Sequence, residues 1–535
     1  MIGSLNDIID GYLELLWQMN PVEATFHGRH DFDGLLPRFD AVSVREFLAA
    51  LRTYTGALEE ADADSLEDEI DRTGALHAAR HDILVLERER PFATNPAFHL
   101  SQALNGLFLL LVRNSQDPVR RSAALLERLR GLPAYLTQAT VALTEPDTVL
   151  TEMASSMVPG GIALVREGLD DEAVDLSSLD AGALETARSE AAEALGRFGD
   201  ALAEMAARAT DNFAIGRDLF DRKLHTAHMI NDNADELLRF GERLRSEAHE
   251  RLAAVAAEIA PGTPVRDVFR RLRADVPRPA EALDAYGGAL KAARDFTVSH
   301  RLMTVPDVQL RVMPTPRFLR ALVPYAAYQG PGAFDHQQLG LFFVTLPRPG
   351  EPWRAHCRGE LPATALHEGV PGHHEQMVVA NGLSRVVRRV LSTPAAREGW
   401  ALYCETLMEE TGFLATPAER FFYAHGLLWR ALRVIIDVCL HTRGMTVQDA
   451  TAMLRDELGF DEAMAAGEVR RYCAYPTYQL CYAVGRREIL RLRDDARQEG
   501  GPRFALDAFH DQLLQYGALP TALARWGMGL AETKV

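Results

Sequence analysis

His367-Glu368-Gly369-Val370-Pro371-Gly372-His373-His374 places three imidazoles and a carboxylate within eight residues. That set suits a zinc hydrolase, in which neutral histidines hold the ion and a glutamate takes a proton from the water it activates. The usual H-E-x-x-H helix is absent, because proline stands at 371, where the second ligand belongs. In a regular helix, residue i+6 lies about 120° round from residue i, so His367 and His373 would diverge. His374, at i+7, returns to the same face but roughly 10.5 Å along the axis, too far to share one ion at about 2 Å. The turn must widen. Pro371 cannot donate to the carbonyl of His367, and Gly372 admits unusual backbone angles. A helix bulged by two residues would let i+6 stand where i+4 stands. His367 and His373 are therefore the expected ligands, His374 the alternate, and Glu368 the general base.

The third ligand should be a carboxylate on the next helix. Glu398 and Glu405, seven apart, share one helical face. Glu398 is the preferred ligand. Glu405 is the alternate, or else the partner of a histidine's second nitrogen. Two His and one Glu suit a single zinc ion. Tyrosines stand at 472, 475, 478 and 482. Tyr472 and Tyr482, with Arg471, are the expected donors to the oxyanion of a tetrahedral intermediate. The alternative for each is a buried aromatic of an amphipathic helix. Asp437 and His441, spaced i, i+4, read as a hydrogen-bonded structural or outer-shell pair rather than a second metal pair.

These residues must be held by a mainly helical chain. The first 300 residues read as successive helices, with strong spacing over 123–132, 184–207 and 237–257. Breaks are expected at Asn20-Pro21, Pro159-Gly160-Gly161, Pro261-Gly262 and Pro277-Arg278-Pro279. Residues 308–312 alternate with period two, and 341–346 form a short run of aromatic and β-branched residues. Two or three strands of a small sheet are expected there, with 328–332 as a turn-rich loop. Helices resume at Pro362, which suits a first helical turn. With 535 residues, the chain exceeds one hydrophobic core. We expect an N-terminal helical lobe over 1–300 and a catalytic, metal-binding lobe with the small sheet over 301–535.

Lys plus Arg number 57 against 75 Asp plus Glu, a formal charge of −18. That argues against nucleic acid or an anionic membrane as the main partner. No run of 18 apolar residues and no signal peptide is visible, so a cytoplasmic protein is expected. Five cysteines without a CxxC pair argue against a disulfide framework and against a thiolate zinc site.

The chain resembles a bacterial family, domain of unknown function 885, whose members look like zinc metallopeptidases. The resemblance rests on HEGVPGHHEQ at 367–376, EGWALYCE at 398–405, the Arg433…Asp437…His441 helix, and RY…PTYQLCYAVG from 471 to 485, with PVEATFHG at 21–28 in support. It implies a zincin-like multi-helix fold with a deep central cleft, distantly similar to thimet-oligopeptidase and thermostable-carboxypeptidase enzymes. Laying Gly372-His373 on the Gly-His of those enzymes makes His373 the second ligand and Glu398 the third.

The leading expectation is a zinc-dependent hydrolase cleaving peptide or amide bonds in short peptides or small molecules. A metal-dependent tailoring enzyme acting on a small-molecule intermediate is the second, and a non-catalytic binding protein on the same scaffold the third.

Overall fold

The computed structural model describes residues 4–112, 117–168, 176–177, 179–316, 320, 323, 325–347 and 356–530. It is mainly helical with one small sheet, as the hydrophobic periodicity predicts. The chain forms two compact units. The first comprises Met1–Ile215 with Pro316–Leu322 and Gly332–Gln337, and the second Gly216–Thr315, Val323–Pro331 and Gln338–Val535. The boundary thus differs from the expected one near 300. Helices Gly216–His228, Ala234–Ile259, Val265–Arg273 and Ala282–Ser299 belong with the second unit. Helical texture alone cannot show which core an amphipathic face joins.

In the first unit, Leu100, Leu104, Leu125, Leu129, Leu195 and Phe198 form the centre of a helical core. Arg128 is buried within this unit. Its guanidinium donates to the carbonyls of Leu35, Gly106 and Pro21 and to the Thr25 hydroxyl, so the Pro21–His27 helix is tied to the Pro118–Ala142 helix. The breaks at Asn20-Pro21, Pro261-Gly262 and Pro277–Pro279 occur where expected. The one at Pro159-Gly160-Gly161 does not, for the Thr148–Glu167 helix runs through it. Proline there forfeits one backbone bond, but Ala154, Val158, Leu164 and Val165 remain packed in the core, which outweighs it. By length and composition this helix could also cross a membrane, a candidate the search for an unbroken apolar run does not detect.

In the second unit the sheet has the order β1 (Leu310–Pro314), β3 (Gly340–Val344), β2 (Ala326–Gln329). β3 pairs parallel with β1, Leu310 opposite Gly340, and antiparallel with β2, Ala326 opposite Val344. Tyr328 and Gln329, expected in a loop, close β2 instead. Central β3 buries Phe342, Phe343 and Val344. Phe342 and Val344 pack with Tyr286 and Leu290 of the Ala282–Ser299 helix and with Leu361 and Ala365. The sheet therefore fixes the Leu361–Glu368 helix, which Pro362 opens and which ends at the first residues of the histidine motif.

Candidate metal centre

The motif is a break between two helices rather than a bulge within one. The Leu361–Glu368 helix ends at Gly369, and Gly372 caps a new helix, His373–Asn381. The Val370-Pro371 peptide is cis. Gly372 donates to the carbonyl of Leu366 at 3.0 Å. A Cβ at Gly372 would fall 1.9 Å from the carbonyl oxygen of His367, so no side chain fits there. Trp400 Nε1 donates to the carbonyls of Pro371 (2.9 Å) and Gly372 (3.2 Å), and Cys404 Sγ to that of Pro371 (3.3 Å). The break is thus pinned against the Pro394–Glu410 helix. It brings the rings of His367 and His373 to 4.8 Å, centre to centre and nearly perpendicular.

Glu398 lies near the start of that next helix, which Thr393 caps. Donor atoms of His367, His373 and Glu398 lie within 4.8 Å of one another. Glu398 Oε2 is 3.3 Å from His373 Nε2, and its Oε1 accepts from the Tyr478 hydroxyl at 2.6 Å. Glu405 is not in this triad. Its Oε1 stands 2.7 Å from His367 Nδ1 and accepts from Arg430 at 3.3 Å, which leaves His367 Nε2 as the nitrogen available to an ion. The donor set therefore fits a divalent metal of the zinc type: two imidazoles and one carboxylate, with His367 held from outside by Glu405 and Glu398 by Tyr478.

Burial opposes charge on both members of the closest pair. For His373 the Glu398 carboxylate outweighs burial and raises the imidazole above its ordinary value. For Glu398, burial is outweighed by His373, Arg397 and the Tyr478 hydroxyl, which hold the carboxyl well below the usual range. Burial also works against ionised Glu405, but Arg430 and His367 lower it. Both carboxylates stay ionised, as a ligand and its outer partner require.

His374 points elsewhere. Its Nδ1 is 3.0 Å from the Tyr328 hydroxyl on β2, and burial pushes it down to about 4. It fastens the second motif helix to the sheet. Glu368 is half-buried, close enough to raise His373, and has no hydrogen bond or ion pair among the described residues.

The tyrosines divide. Tyr482 stacks on His367 at 6.4 Å, with the Arg433 guanidinium 4.6 Å from its ring centre, and its hydroxyl has no hydrogen-bond partner among the described residues. Tyr472 is not brought to the triad's first layer. It is fully buried, accepts from Trp429 and Arg433, and donates to Glu468. Arg471 is largely exposed and pairs with Glu468 at 2.9 Å. Sequence reasoning missed Tyr478 and Arg430. Tyr478 lies four before Tyr482, a helical-spacing signal, but a turn intervenes. Asp437 and His441 form no second metal pair, since His441 Nε2 donates to the carbonyl of Tyr472 at 3.1 Å and Asp437 accepts backbone N–H groups.

Among solved structures, a candidate lipoprotein of unknown function from Shewanella oneidensis superposes with a TM-score of 0.79 at 22% identity, covering 98% of this chain and 100% of that one. A candidate lipoprotein from Colwellia psychrerythraea gives 0.83 at 18% identity, covering 99% of each chain. At these identities the likeness is one of fold. No curated protein matches the chain. The family match runs over residues 21–528, nearly the whole sequence, and the chain therefore belongs to DUF885, the bacterial proteins of unknown function.

Proposed function

We propose that the chain is a zinc-dependent hydrolase of peptide or amide bonds in short peptides or small molecules. The observation that carries this is the convergence of His367, His373 and Glu398 within 4.8 Å. Zinc bound there would supply an acidified water and a Lewis acid for the substrate carbonyl. Glu368, next to His367 and uncommitted among the described residues, accepts the proton of the attacking water and returns it to the leaving nitrogen. Burial raises the Tyr482 hydroxyl above its ordinary value, so it stays protonated and can donate to the oxygen of the tetrahedral carbon. Glu405 and Tyr478 hold the donor side chains in orientation. Five cysteines without a disulfide fit a reducing compartment, and we place the protein in the cytoplasm, to be checked by cell fractionation.

The test is metal analysis of the purified chain, followed by hydrolysis of a peptide and acyl-amide library by wild type and Glu368→Gln. One equivalent of zinc, with turnover that Glu368→Gln lowers at least a hundredfold, is expected. A chain that takes up no metal, or a Glu368→Gln variant as active as wild type, overturns the reading.

A further inference from the structure

Asp437 lies on the Pro417–Thr442 helix, fully buried, yet it meets no ligand of the metal triad directly. Its Oδ1 accepts from the backbone N–H of Thr477 at 3.1 Å, and its Oδ2 from that of Leu480 at 3.2 Å. Between those two amides the chain turns from the Glu462–Ala474 helix into the Cys481–Gly500 helix. Thr477 takes φ +67°, a left-handed conformation that a β-branched residue rarely adopts. Its carbonyl accepts from Cys481 Sγ at 3.1 Å. Such a conformation persists where the surroundings over-determine it, commonly beside functional sites. The next residue is Tyr478, whose hydroxyl donates to Glu398 Oε1 at 2.6 Å. Glu398 Oε2 is left facing His373 Nε2 at 3.3 Å.

We propose that Asp437 is a positioning residue of the metal centre: it fixes the 477–480 turn, the turn sets the Tyr478 hydroxyl on Glu398 Oε1, and Glu398 is thereby held to offering one oxygen. This rests on the zinc-hydrolase reading. A side chain that only filled space here would need neither a buried carboxyl group that accepts two backbone N–H bonds nor a strained threonine. The path from Asp437 to Glu398 consists of three contacts, each through backbone or one hydroxyl.

The full chain is titrated with zinc against a chromophoric chelator, as wild type, Tyr478→Phe, Asp437→Asn, the double variant and Tyr403→Phe. Tyr403 is the control, a buried tyrosine on the Glu398 helix whose hydroxyl bonds His510 at 2.6 Å. Tyr478→Phe and Asp437→Asn are each expected to weaken zinc binding about ten- to a hundredfold. The double variant should be no weaker than the weaker single one, because both act through one path. Tyr403→Phe should bind as wild type does. The visible spectrum of the cobalt-loaded protein should change in Tyr478→Phe and Asp437→Asn alike, as Glu398 gains a second free oxygen. If Asp437→Asn fails to fold, Asp437→Glu, which keeps the carboxyl group but displaces it from the amides of Thr477 and Leu480, takes its place alone and in the double variant, with the same outcomes expected. Tight zinc binding by wild type with unchanged binding by Tyr478→Phe overturns the proposal and leaves the hydrolase reading standing. Additive losses in the double variant overturn the link to Asp437. A wild type that binds no zinc removes both.

Discussion

Glu405 Oε1 stands 2.7 Å from Nδ1 of His367, and Arg430 donates to the same oxygen at 3.3 Å. This contact fixes the plane of the imidazole and the nitrogen it offers. Glu405→Ala is expected to lower zinc affinity roughly 10- to 100-fold. It should also cost about 3 kcal/mol of stability, because Arg430 loses its buried partner. Chelator competition and urea denaturation measure the two effects. Glu405→Gln, which keeps an acceptor, should recover part of both.

His373 and His374 are adjacent in sequence but serve different surfaces. His373→Ala should abolish stoichiometric zinc. His374→Ala should retain it while losing about 1 kcal/mol, the contact with Tyr328 on β2 being one ordinary hydrogen bond. Metal analysis of the two purified variants separates them. Equal loss of metal from both would contradict the placement of His374.

Gly372→Ala tests the break in the motif. With the His367 carbonyl 1.9 Å from the added Cβ, the backbone itself must move. We expect loss of zinc and destabilisation of about 3 kcal/mol or more. Gly196→Ala, in a helix interior with nothing within 4 Å of the new Cβ, should be neutral or slightly stabilising. Melting curves of both variants give the comparison.

Burial pushes the carboxyl of Asp437 up to about 7 from an ordinary 3.8, against the lowering effect of the backbone N–H groups it accepts from. The folded protein then keeps a proton that the unfolded chain has released. The corresponding stability is fully present below about pH 4 and is lost as pH rises to about 7, by an amount on the order of a few kcal/mol. Asp437→Asn should flatten that part of the profile. Denaturation midpoints at pH 5, 6, 7 and 8 for both proteins check the sign; a wild-type profile no steeper than the variant's contradicts it.

The local signals in the chain reach far into the site. Pro362 marks the helix that delivers His367. Pro371 and Gly372 announce that the helix cannot continue, although a bulge and a full break look alike in sequence. Both leave Pro371 without a donor, and the choice between them depends on Trp400 and Cys404 binding the carbonyl of Pro371 from another helix. The seven-residue spacing puts Glu405 on the face of Glu398, as an alternate ligand or as the partner of a histidine, and the contact with His367 Nδ1 selects the second role. The tyrosines were less legible. Helical spacing cannot be carried from Tyr472 to Tyr482 across a left-handed Thr477, so of the two expected donors only Tyr482 stands beside His367, while Tyr478 takes the contact with Glu398.

What the sequence by itself determined is the donor inventory, the helical class, and the interruption that keeps His367 and His373 off a regular helix. These are properties of residue type and of period within one element, and both are local. The tertiary structure alone decided which nitrogen of His367 is held, which tyrosine reaches Glu398, and which unit the 216–299 helices join. Those depend on contacts between elements. One is at Gly399 and Gly485, where a Cβ on Gly399 would lie 2.5 Å from the backbone of Gly485 and one on Gly485 would lie 1.8 Å from the carbonyl oxygen of Ala395. That approach sets the Glu398 helix directly against the helix of Tyr482, and no spacing along a single chain segment encodes it.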